Sequence, residues 1–198
     1  DKAYGDWMTP YSEAQPLVPH GIYATSKACA DMLTQAYLSE YKLPGAITRS
    51  SNLYGPGHLN FTTLVAGTIR SVMKGEAPRL RSDGGPLRDF LYVEDLVDGY
   101  LKLLDVEATG PFNFGTGKGT SVMTVVETLL RLLGSKRAPV IDAASSSPGI
   151  GQGGLEIKDQ VVDASKAERV LGWRPQHTLE EGLTKTIEWY RLHLEAIG

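Results

Sequence analysis

The feature that most constrains the fold is a long stretch without helix breakers that ends in a tight turn and a strand. Residues 23–41 contain no glycine or proline, and apolar side chains recur in them at helical spacing. The Pro-Gly dipeptide at 44–45 ends this predicted helix, and residues 45–54 read as a strand that runs into a Gly-Pro-Gly turn. Helix, tight turn and strand in this order are typical of a parallel sheet with crossover helices. The sequence therefore predicts an α/β fold.

The rest of the chain continues this alternation of helices and strands. Further helices are predicted over 62–74, 94–104, 122–133, 165–171 and 178–194, and strands over 79–82, 90–93, 112–114, 139–141 and 161–163. Ser121 and Ser165 stand where N-caps are needed, and Thr178 with Glu181 forms a capping box. Residues 143–154 are low in complexity and predict a mobile connection.

The composition excludes several classes of protein. A length of 198 residues with 41% hydrophobic and 22% charged side chains is typical of a globular protein with one domain or one and a half. A net charge of −3 does not indicate binding to nucleic acid or to a membrane surface. The sequence shows neither an apolar run long enough to span a bilayer nor a signal peptide. The single cysteine fits a reducing cytoplasm, and the four histidines show no metal-ligand spacing, so no metal is expected.

Tyr23 and Lys27 are the first candidates for chemistry. They lie four residues apart at the start of the first predicted helix, so their side chains share one face. An ammonium beside a phenol favours the ionised phenol, which allows a tyrosine to accept and return a proton near neutral pH. Because Y-x-x-x-K also occurs by chance in many helices, the pair alone does not establish a catalytic site.

Three other motifs each have a functional and a structural interpretation. Arg49-x-x-Asn52 ends a strand, where open α/β sheets bind ligands, but Arg49 could equally be a surface arginine ahead of a turn. Arg88 could clamp a diphosphate with its fork of donors, or form a surface pair with Asp89. The sequence Gly-Thr-Gly-Lys-Gly at 115–119 matches neither G-x-G-x-x-G nor a P-loop, so we expect a structural turn there.

Taken together, the motifs occur in a fixed order over nearly the whole chain. They are Asp-Lys-Ala-Tyr-Gly, Tyr-x-x-x-Lys, Arg-x-x-Asn-x-Tyr-Gly-Pro-Gly, Arg-Asp-Phe-Leu-Tyr-Val-Glu-Asp, Asn-Phe-Gly-Thr-Gly and Leu-Gly-Trp-Arg-Pro. This series resembles the extended short-chain dehydrogenase/reductase family of NAD-dependent nucleotide-sugar epimerases and dehydratases. Asp1 and Lys2 ahead of Tyr-Gly are most similar to the 4,6-dehydratases, and among these to the CDP-glucose 4,6-dehydratase-like branch. An epimerase usually has a small or apolar residue in place of Asp1.

The resemblance implies catalytic roles for four residues. Tyr23 would take the proton of the sugar 4-hydroxyl while hydride passes to NAD, Lys27 would bind the nicotinamide ribose, and Asp1 would protonate the departing 6-hydroxyl. Lys2 stands where the dTDP-glucose branch has a glutamate that removes the C5 proton. Lys2 would therefore act either as a base or as a group that positions the substrate.

The resemblance also implies how a nucleotide-diphosphate sugar would be held. Asn52 and Arg88 would bind the diphosphate, and Asn60 and Arg81 would lie near the nucleotide. Two alternatives to a dehydratase remain open, namely a 4-epimerase in which Tyr23 acts alone and a non-enzymatic module that binds a sugar nucleotide.

The chain would be divided into two parts, and a dimer is expected. Residues 1–57 and about 88–118 would form the distal part of a Rossmann-type sheet, and about 58–87 and 119–198 a small α/β substrate-binding lobe. The family's dinucleotide-binding half, with its G-x-x-G-x-x-G loop, has no counterpart in these residues. NAD, favoured over NADP, is therefore expected to bind weakly or not at all to them alone. A homodimer would form through the helix after Tyr23, on a face made of Ala28, Met32, Gln35 and Ser39. The alternative is that these residues pack on the sheet.

Overall fold

The computed structural model describes residues 1–6, 8–142 and 157–197, so the predicted mobile connection at 143–154 lies outside the described residues. The α-helices are α1 (Ile22–Glu40), α2 (Leu64–Met73), α3 (Val93–Asp105), α4 (Val122–Leu133), α5 (Ser165–Leu171) and α6 (Leu179–Ile197). The strands are β1 (Ala46–Ser50), β2 (Asn52–Tyr54), β3 (Arg79–Leu80), β4 (Leu87–Arg88), β5 (Phe90–Tyr92), β6 (Gly110–Phe114), β7 (Thr120–Ser121), β8 (Val140–Ile141) and β9 (Asp159–Gln160). A single 3₁₀ turn covers Lys2–Tyr4.

Most strand pairs are parallel, which confirms the predicted α/β class. β1 pairs with β6, β2 with β5 and β3 with β8, all in parallel. β4 lies between β9, to which it is parallel, and β7, to which it is antiparallel. Helices α2 and α3 lie in the connections between parallel strands, as crossover geometry requires.

The first predicted strand is in fact two strands that pair with different partners. The Ser51 amide still donates to the Phe114 carbonyl at 2.9 Å, whereas the Asn52 amide donates to the Asp89 carbonyl at 2.9 Å. The chain therefore leaves β6 at Ser51 and joins β5 at Asn52. Crevices at points where neighbouring strands part are the usual ligand sites of open α/β sheets.

Two large apolar clusters hold the elements together. One lies between α3, β6 and α5 and consists of Leu91, Leu96, Leu103, Phe112, Phe114, Ala167, Leu171 and Trp173. The other lies between α2, α4, α6 and the β2–β5 pair and consists of Tyr54, Val65, Ala66, Ile69, Phe90, Tyr92, Val125, Leu129, Leu183, Ile187 and Tyr190. Helix α5 thus packs with the Rossmann-type part, although the predicted lobe boundaries group it with the other part.

Two details near the predicted strand at 161–163 were wrong. Sheet pairing occurs earlier, in β9, and Val162 forms only an isolated bridge with Tyr11. The reason is that the loop around Tyr11 lies alongside this segment, where its amide donates to the Val161 carbonyl at 2.8 Å. Ser165 is also not the cap of α5, because it is the first helical residue and its amide donates to the Asp163 carboxylate at 2.8 Å.

Helix α1 packs through one narrow face and leaves the rest exposed. Ala24, Ala28 and Asp31 are buried. Ala28 is fully buried against this chain, so its assignment to an outward dimer face was wrong. The outward side carries large apolar groups, including Leu33 at 60% and Tyr37 at 59% exposure. In the described part of the chain, no helix has both the length and the apolar character needed to cross a bilayer.

Candidate active site

One cleft, with a volume of about 1060 Å³, brings together every residue that the sequence nominated for the site. It opens beside the start of α1, along β1 and β2, and in front of the turn that precedes α2. The nominated residues in its lining are Asp1, Lys2, Tyr23, Lys27, Asn52, Asn60, Arg81 and Arg88.

Tyr23 lies between two ammonium groups. The Nζ atom of Lys27 is 5.7 Å from the centroid of the Tyr23 ring, and the Nζ atom of Lys2 is 5.8 Å from it. Both distances are within the range of a cation–π contact. The Tyr23 side chain is 55% exposed, and within the described ranges no side-chain hydrogen bond or ion pair engages either ammonium. The pair is therefore presented to the cleft instead of being used in packing.

The carboxylate of Asp1 is held by the first residue of β2. The Nδ2 atom of Asn52 donates to Asp1 Oδ2 at 3.0 Å and to the Asp89 carbonyl at 3.3 Å. Asn52 can reach Asp1 because it stands where the chain changes from β6 to β5. The amide thus orients an acid at the edge of the cleft, and diphosphate binding by Asn52 remains a prediction.

Positive charge gathers in the cleft around Lys2, Arg81 and Arg88. The Nη1 atom of Arg88 donates to the carbonyls of Leu87 at 2.8 Å and Lys158 at 2.9 Å, which fixes the guanidinium at the rim. Arg81 lines the same cleft. Desolvation of the Lys2 ammonium, together with the positive charges of Arg88 and Arg81, lowers the pKa of Lys2, although the residue as a whole is exposed. Three cations converging on one space suit an anion with several charges.

Asn60 shapes the turn into α2. Its Oδ1 atom accepts hydrogen bonds from the Thr62 amide at 3.1 Å and from Thr62 Oγ1 at 2.7 Å. The side chain therefore lies in the cleft wall with its oxygen already engaged. Its predicted position near a nucleotide stays untested.

Arg49 is a buried arginine at the inner wall of the cleft, not a surface one. Its side chain is 8% exposed, and its Nε and Nη2 atoms donate to the two carboxylate oxygens of Asp31 at 2.8 and 2.9 Å. Its Nη1 atom donates to Tyr4 Oη at 3.0 Å. The interpretation of Arg49 as a surface arginine was therefore wrong, and the residue ties β1 to α1 and to the chain ahead of it.

Asp89 explains the glycine-rich turn at 115–119. Its buried carboxylate accepts hydrogen bonds from the Thr116 amide at 2.9 Å, Thr116 Oγ1 at 2.7 Å and the Gly117 amide at 3.1 Å. Burial raises the pKa of Asp89. The amides of the turn are directed at Asp89, as expected for a structural turn. A surface pair between Arg88 and Asp89 is excluded, because Asp89 is fully buried.

Sequence reasoning nominated neither His58 nor some other titratable residues of the cleft, such as Tyr100. His58 lines it directly after the Gly-Pro-Gly turn. The histidines were considered only as metal ligands, and the signal that could have found His58 is its place after a strand end. The described residues contain no group of three or more His, Cys, Asp or Glu side chains that could hold a metal.

Comparison with known proteins identifies the family. The sequence pattern of the family described as GDP-mannose 4,6 dehydratase matches residues 1–186. The chain is 32% identical over 200 residues to the dTDP-D-glucose 4,6-dehydratase of Homo sapiens, covering 96% of this chain and 54% of that protein. It is 31% identical over 208 residues to dTDP-glucose 4,6-dehydratase 1 of Escherichia coli K12, covering 96% of this chain and 56% of the relative.

Solved structures agree with this result. The UDP-glucose 4-epimerase of Thermotoga maritima with UDP-glucose superposes with a TM-score of 0.86 at 30% identity, covering 98% of this chain and 62% of that one. The dTDP-glucose 4,6-dehydratase of Bacillus anthracis in complex with NAD gives a TM-score of 0.84 at 29% identity, covering 98% and 60%. The fold is thus of the Rossmann-type α/β class. The chain belongs to the nucleotide-sugar epimerase and dehydratase family of extended short-chain dehydrogenase/reductases. It spans about half the length of the curated relatives it matches.

Proposed function

We propose that these residues form the catalytic and substrate-binding part of an NAD-dependent nucleotide-sugar 4,6-dehydratase. The reaction would oxidise the sugar at C4, eliminate water across C5 and C6, and return hydride to C6. The observation that carries the proposal is the position of an oriented carboxylate, Asp1, in the same cleft as Tyr23 and Lys27. A 4,6-dehydratase needs an acid for the leaving hydroxyl in addition to a base for the 4-hydroxyl.

The roles of the cleft residues follow from their chemistry. The phenol of Tyr23 takes the proton of the 4-hydroxyl, and the carboxyl of Asp1 gives a proton to the 6-hydroxyl as it leaves. NAD, when bound, accepts the hydride from C4 and supplies it again to C6. The residues present fit this cofactor, since the Tyr23 phenol and the Lys27 ammonium line the cleft and neither takes part in a hydrogen bond or ion pair with another described side chain. Lys27 would hold the ribose hydroxyls beside the phenol.

The substrate would be a nucleotide-diphosphate sugar. The guanidinium of Arg88 is fixed at the rim by two carbonyls, and Arg81 lines the same cleft, so both are positioned for phosphate oxygens. Asn52 would add an amide donor, and Asn60 would lie beside the nucleotide. The relatives named above act on dTDP-glucose or UDP-glucose according to their names, which supports this substrate class.

A 4-epimerase is the second candidate, and the structural likeness to the Thermotoga maritima UDP-glucose 4-epimerase favours it. An epimerase needs Tyr23 to move the 4-hydroxyl proton in both directions, and it needs no acid at C6. The hydrogen bond from Asn52 to Asp1 supports the dehydratase, because it holds a carboxylate that an epimerase would not use.

The test is product analysis with the protein expressed from its complete reading frame. The protein is incubated with NAD and either CDP-glucose or dTDP-glucose. We expect a 4-keto-6-deoxy sugar, which absorbs light in alkali. A sugar inverted at C4 with no keto product would instead establish the epimerase.

We further infer a homodimer through α1. Its support is the outward apolar surface of this helix, which includes Met32, Leu33 and Tyr37, each more than half exposed. Three large apolar side chains within six residues are costly to leave in water, and a second copy of the helix would cover them.

A further inference from the structure

The 3₁₀ turn that follows Asp1 contains one buried side chain, that of Tyr4. The turn covers Lys2–Tyr4, and the Tyr4 amide closes it by donating to the Asp1 carbonyl at 3.0 Å. At the other end the Asp1 nitrogen donates to the Ser50 carbonyl at 2.8 Å. Tyr4 is fully buried, so its hydroxyl cannot touch a sugar in the cleft. It is instead placed to determine where the backbone of Asp1 lies.

The Tyr4 hydroxyl has a partner on each side. The Nη1 atom of Arg49 donates to Tyr4 Oη at 3.0 Å, and Tyr4 Oη donates to Asn113 Oδ1 at 2.7 Å. Because a guanidinium can only donate, the phenol oxygen is the acceptor towards Arg49, and its proton is directed at Asn113. Burial raises the pKa of the Tyr4 phenol, so this proton stays in place.

The orientation of the Asn113 amide is fixed as well. Its Nδ2 atom donates to the carbonyls of Tyr11 at 2.8 Å and Asp163 at 3.2 Å. Because carbonyls only accept, the amide cannot be turned round, and its Oδ1 atom faces Tyr4. Asn113 lies on β6 and Arg49 on β1, so the Tyr4 hydroxyl is bonded to two neighbouring strands. A buried network in which these groups are matched holds one arrangement.

The same arginine holds the helix of the candidate base. The Nε and Nη2 atoms of Arg49 bind the Asp31 carboxylate on α1, the helix that carries Tyr23. Arg49 is therefore bonded to α1 through Asp31 and to the 3₁₀ turn through Tyr4. We propose that Tyr4 is a positioning residue, whose hydroxyl holds the Asp1 carboxyl in place to protonate the leaving 6-hydroxyl. This inference rests on the proposed dehydratase reaction.

The two stages of that reaction depend on Tyr4 to different extents. Oxidation at C4 uses Tyr23 and Lys27, which lie on a helix that the buried ion pair still ties to β1 when the Tyr4 hydroxyl is removed. In the elimination a base takes the C5 proton, the electron pair of the C5–H bond forms the C5–C6 double bond, and the C6–O bond breaks. The hydroxyl leaves as water with the proton of Asp1. Only this second stage depends on the position of the turn.

The test uses the protein from its complete reading frame with NAD and the nucleotide sugar that it converts. Tyr4→Phe removes the hydroxyl but keeps the ring, which stacks on that of Tyr11 with centroids 5.0 Å apart. Tyr54→Phe is the matched control, because it also removes a buried tyrosine hydroxyl, one that donates to the Leu179 carbonyl at 3.3 Å. Rapid mixing records the NADH absorbance and the formation of keto product. Calorimetry with the nucleotide sugar shows that each variant is folded.

For Tyr4→Phe we expect elimination to slow by about 10²-fold, the effect of displacing a catalytic group by about 1 Å. NADH should form at the wild-type rate and then accumulate, because oxidation at C4 outruns elimination. Affinity for the nucleotide sugar should not change. In an Asp1→Ala background the exchange Tyr4→Phe should have no further effect, since Tyr4 acts through Asp1. The control should match the wild type.

A substrate with fluorine in place of the 6-hydroxyl separates positioning from a general loss of structure. Fluoride leaves as an anion and takes no proton from Asp1. Tyr4→Phe should therefore convert this analogue at nearly the wild-type rate. A general loss of structure would slow the analogue and the natural substrate alike.

Three results would overturn the role of Tyr4: no accumulation of NADH in Tyr4→Phe, an equal loss of rate in the Asp1→Ala background, or the same behaviour in Tyr54→Phe. In each case the wild type still makes keto product, so the dehydratase reaction stands. If Tyr4→Phe does not fold, Asn113→Ser is measured in its place with the same expectations, because it removes the acceptor of the Tyr4 proton. Wild-type protein that makes no keto product would refute the reaction and the role of Tyr4 together.

Discussion

Arg49 on β1 and Asp31 on α1 form a bidentate ion pair, with N–O distances of 2.8 and 2.9 Å, and both side chains are only 8% exposed. The pair joins the helix that carries Tyr23 to the strand that leads to Asn52. It therefore ties the helix on which Tyr23 and Lys27 lie to the strand that precedes Asn52, the residue that holds the Asp1 carboxylate. Charged groups at this depth are tolerated because each satisfies the other.

Removing one member of this pair should be costly. In Asp31→Ala the guanidinium of Arg49 stays buried without its counterion, and we expect the free energy of unfolding to fall by about 3–5 kcal/mol. Urea denaturation of the two proteins gives the difference. The matched control is Asp31→Leu combined with Arg49→Met, which leaves no buried charge and should lose less. Equal stability of Asp31→Ala and wild type would show that solvent reaches Arg49.

Tyr23→Phe separates chemistry from binding. The substitution keeps the ring between Lys2 and Lys27 but removes the hydroxyl, so kcat should fall by about 10²–10⁴-fold or more, while affinity for the nucleotide sugar changes little. Steady-state kinetics and calorimetry measure the two quantities. Tyr41→Phe, at an exposed tyrosine just after α1, is the control and should behave as wild type. A collapse of affinity in Tyr23→Phe would mean that Tyr23 is structural.

Asp89 should leave a signature in the pH dependence of stability. Burial raises the pKa of this carboxyl in the folded protein above its unfolded value of about 4. The folded state therefore holds the proton more tightly, and the contribution of Asp89 to stability decreases as pH rises from its unfolded pKa through its folded pKa. Asp89→Asn cannot ionise. The stability of wild type minus that of the variant should therefore be largest in acid and decline towards neutral pH.

Denaturation curves at several pH values between about 3.5 and 7 check this, since the interval covers the titration of carboxyl groups. The substitution also changes the hydrogen bonds that the Thr116 and Gly117 amides donate to residue 89. This change shifts the difference in the free energy of unfolding by an amount that does not depend on the ionisation of Asp89. A difference that grows towards neutral pH would mean that these donors stabilise the carboxylate by more than burial penalises it.

The outward surface of α1 should control the oligomeric state. Leu33→Glu combined with Tyr37→Glu places two charges where we infer that a second copy packs, and we expect dimers to become monomers. Sedimentation velocity distinguishes the two. Leu192→Glu on α6 is the control, because Leu192 is 80% exposed and lies outside the inferred interface. Wild-type protein that sediments as a monomer would refute the inference directly.

Local patterns predicted the helices well, because caps and periodicity act within a few residues. Ser121 does accept the Thr124 amide at 3.0 Å at the start of α4. Thr178 and Glu181 do bond reciprocally at the start of α6, at 2.8 and 3.3 Å. These interactions reach only three residues along the chain, so the sequence displays both partners together.

Long-range partners could not be predicted in the same way. The change of strand partner at Ser51 depends on β5 and β6, and no pattern in the sequence from 45 to 54 indicates it. The burial of Arg49 depends on Asp31, eighteen residues away on another element. The gathering of the site residues was anticipated only through the resemblance of ordered motifs, since spacing alone does not place Arg81 in the same cleft as Tyr23.

Arg88 and Asp89 are neighbours in the chain with separate tasks. Arg88 faces the cleft, and Asp89 points the other way to hold the turn at 115–119. An exchange at Arg88 can thus alter the charge of the cleft without removing the carboxylate that holds that turn. The charge of the cleft and the hydrogen bonding of the turn are therefore open to separate selection at adjacent positions of the chain.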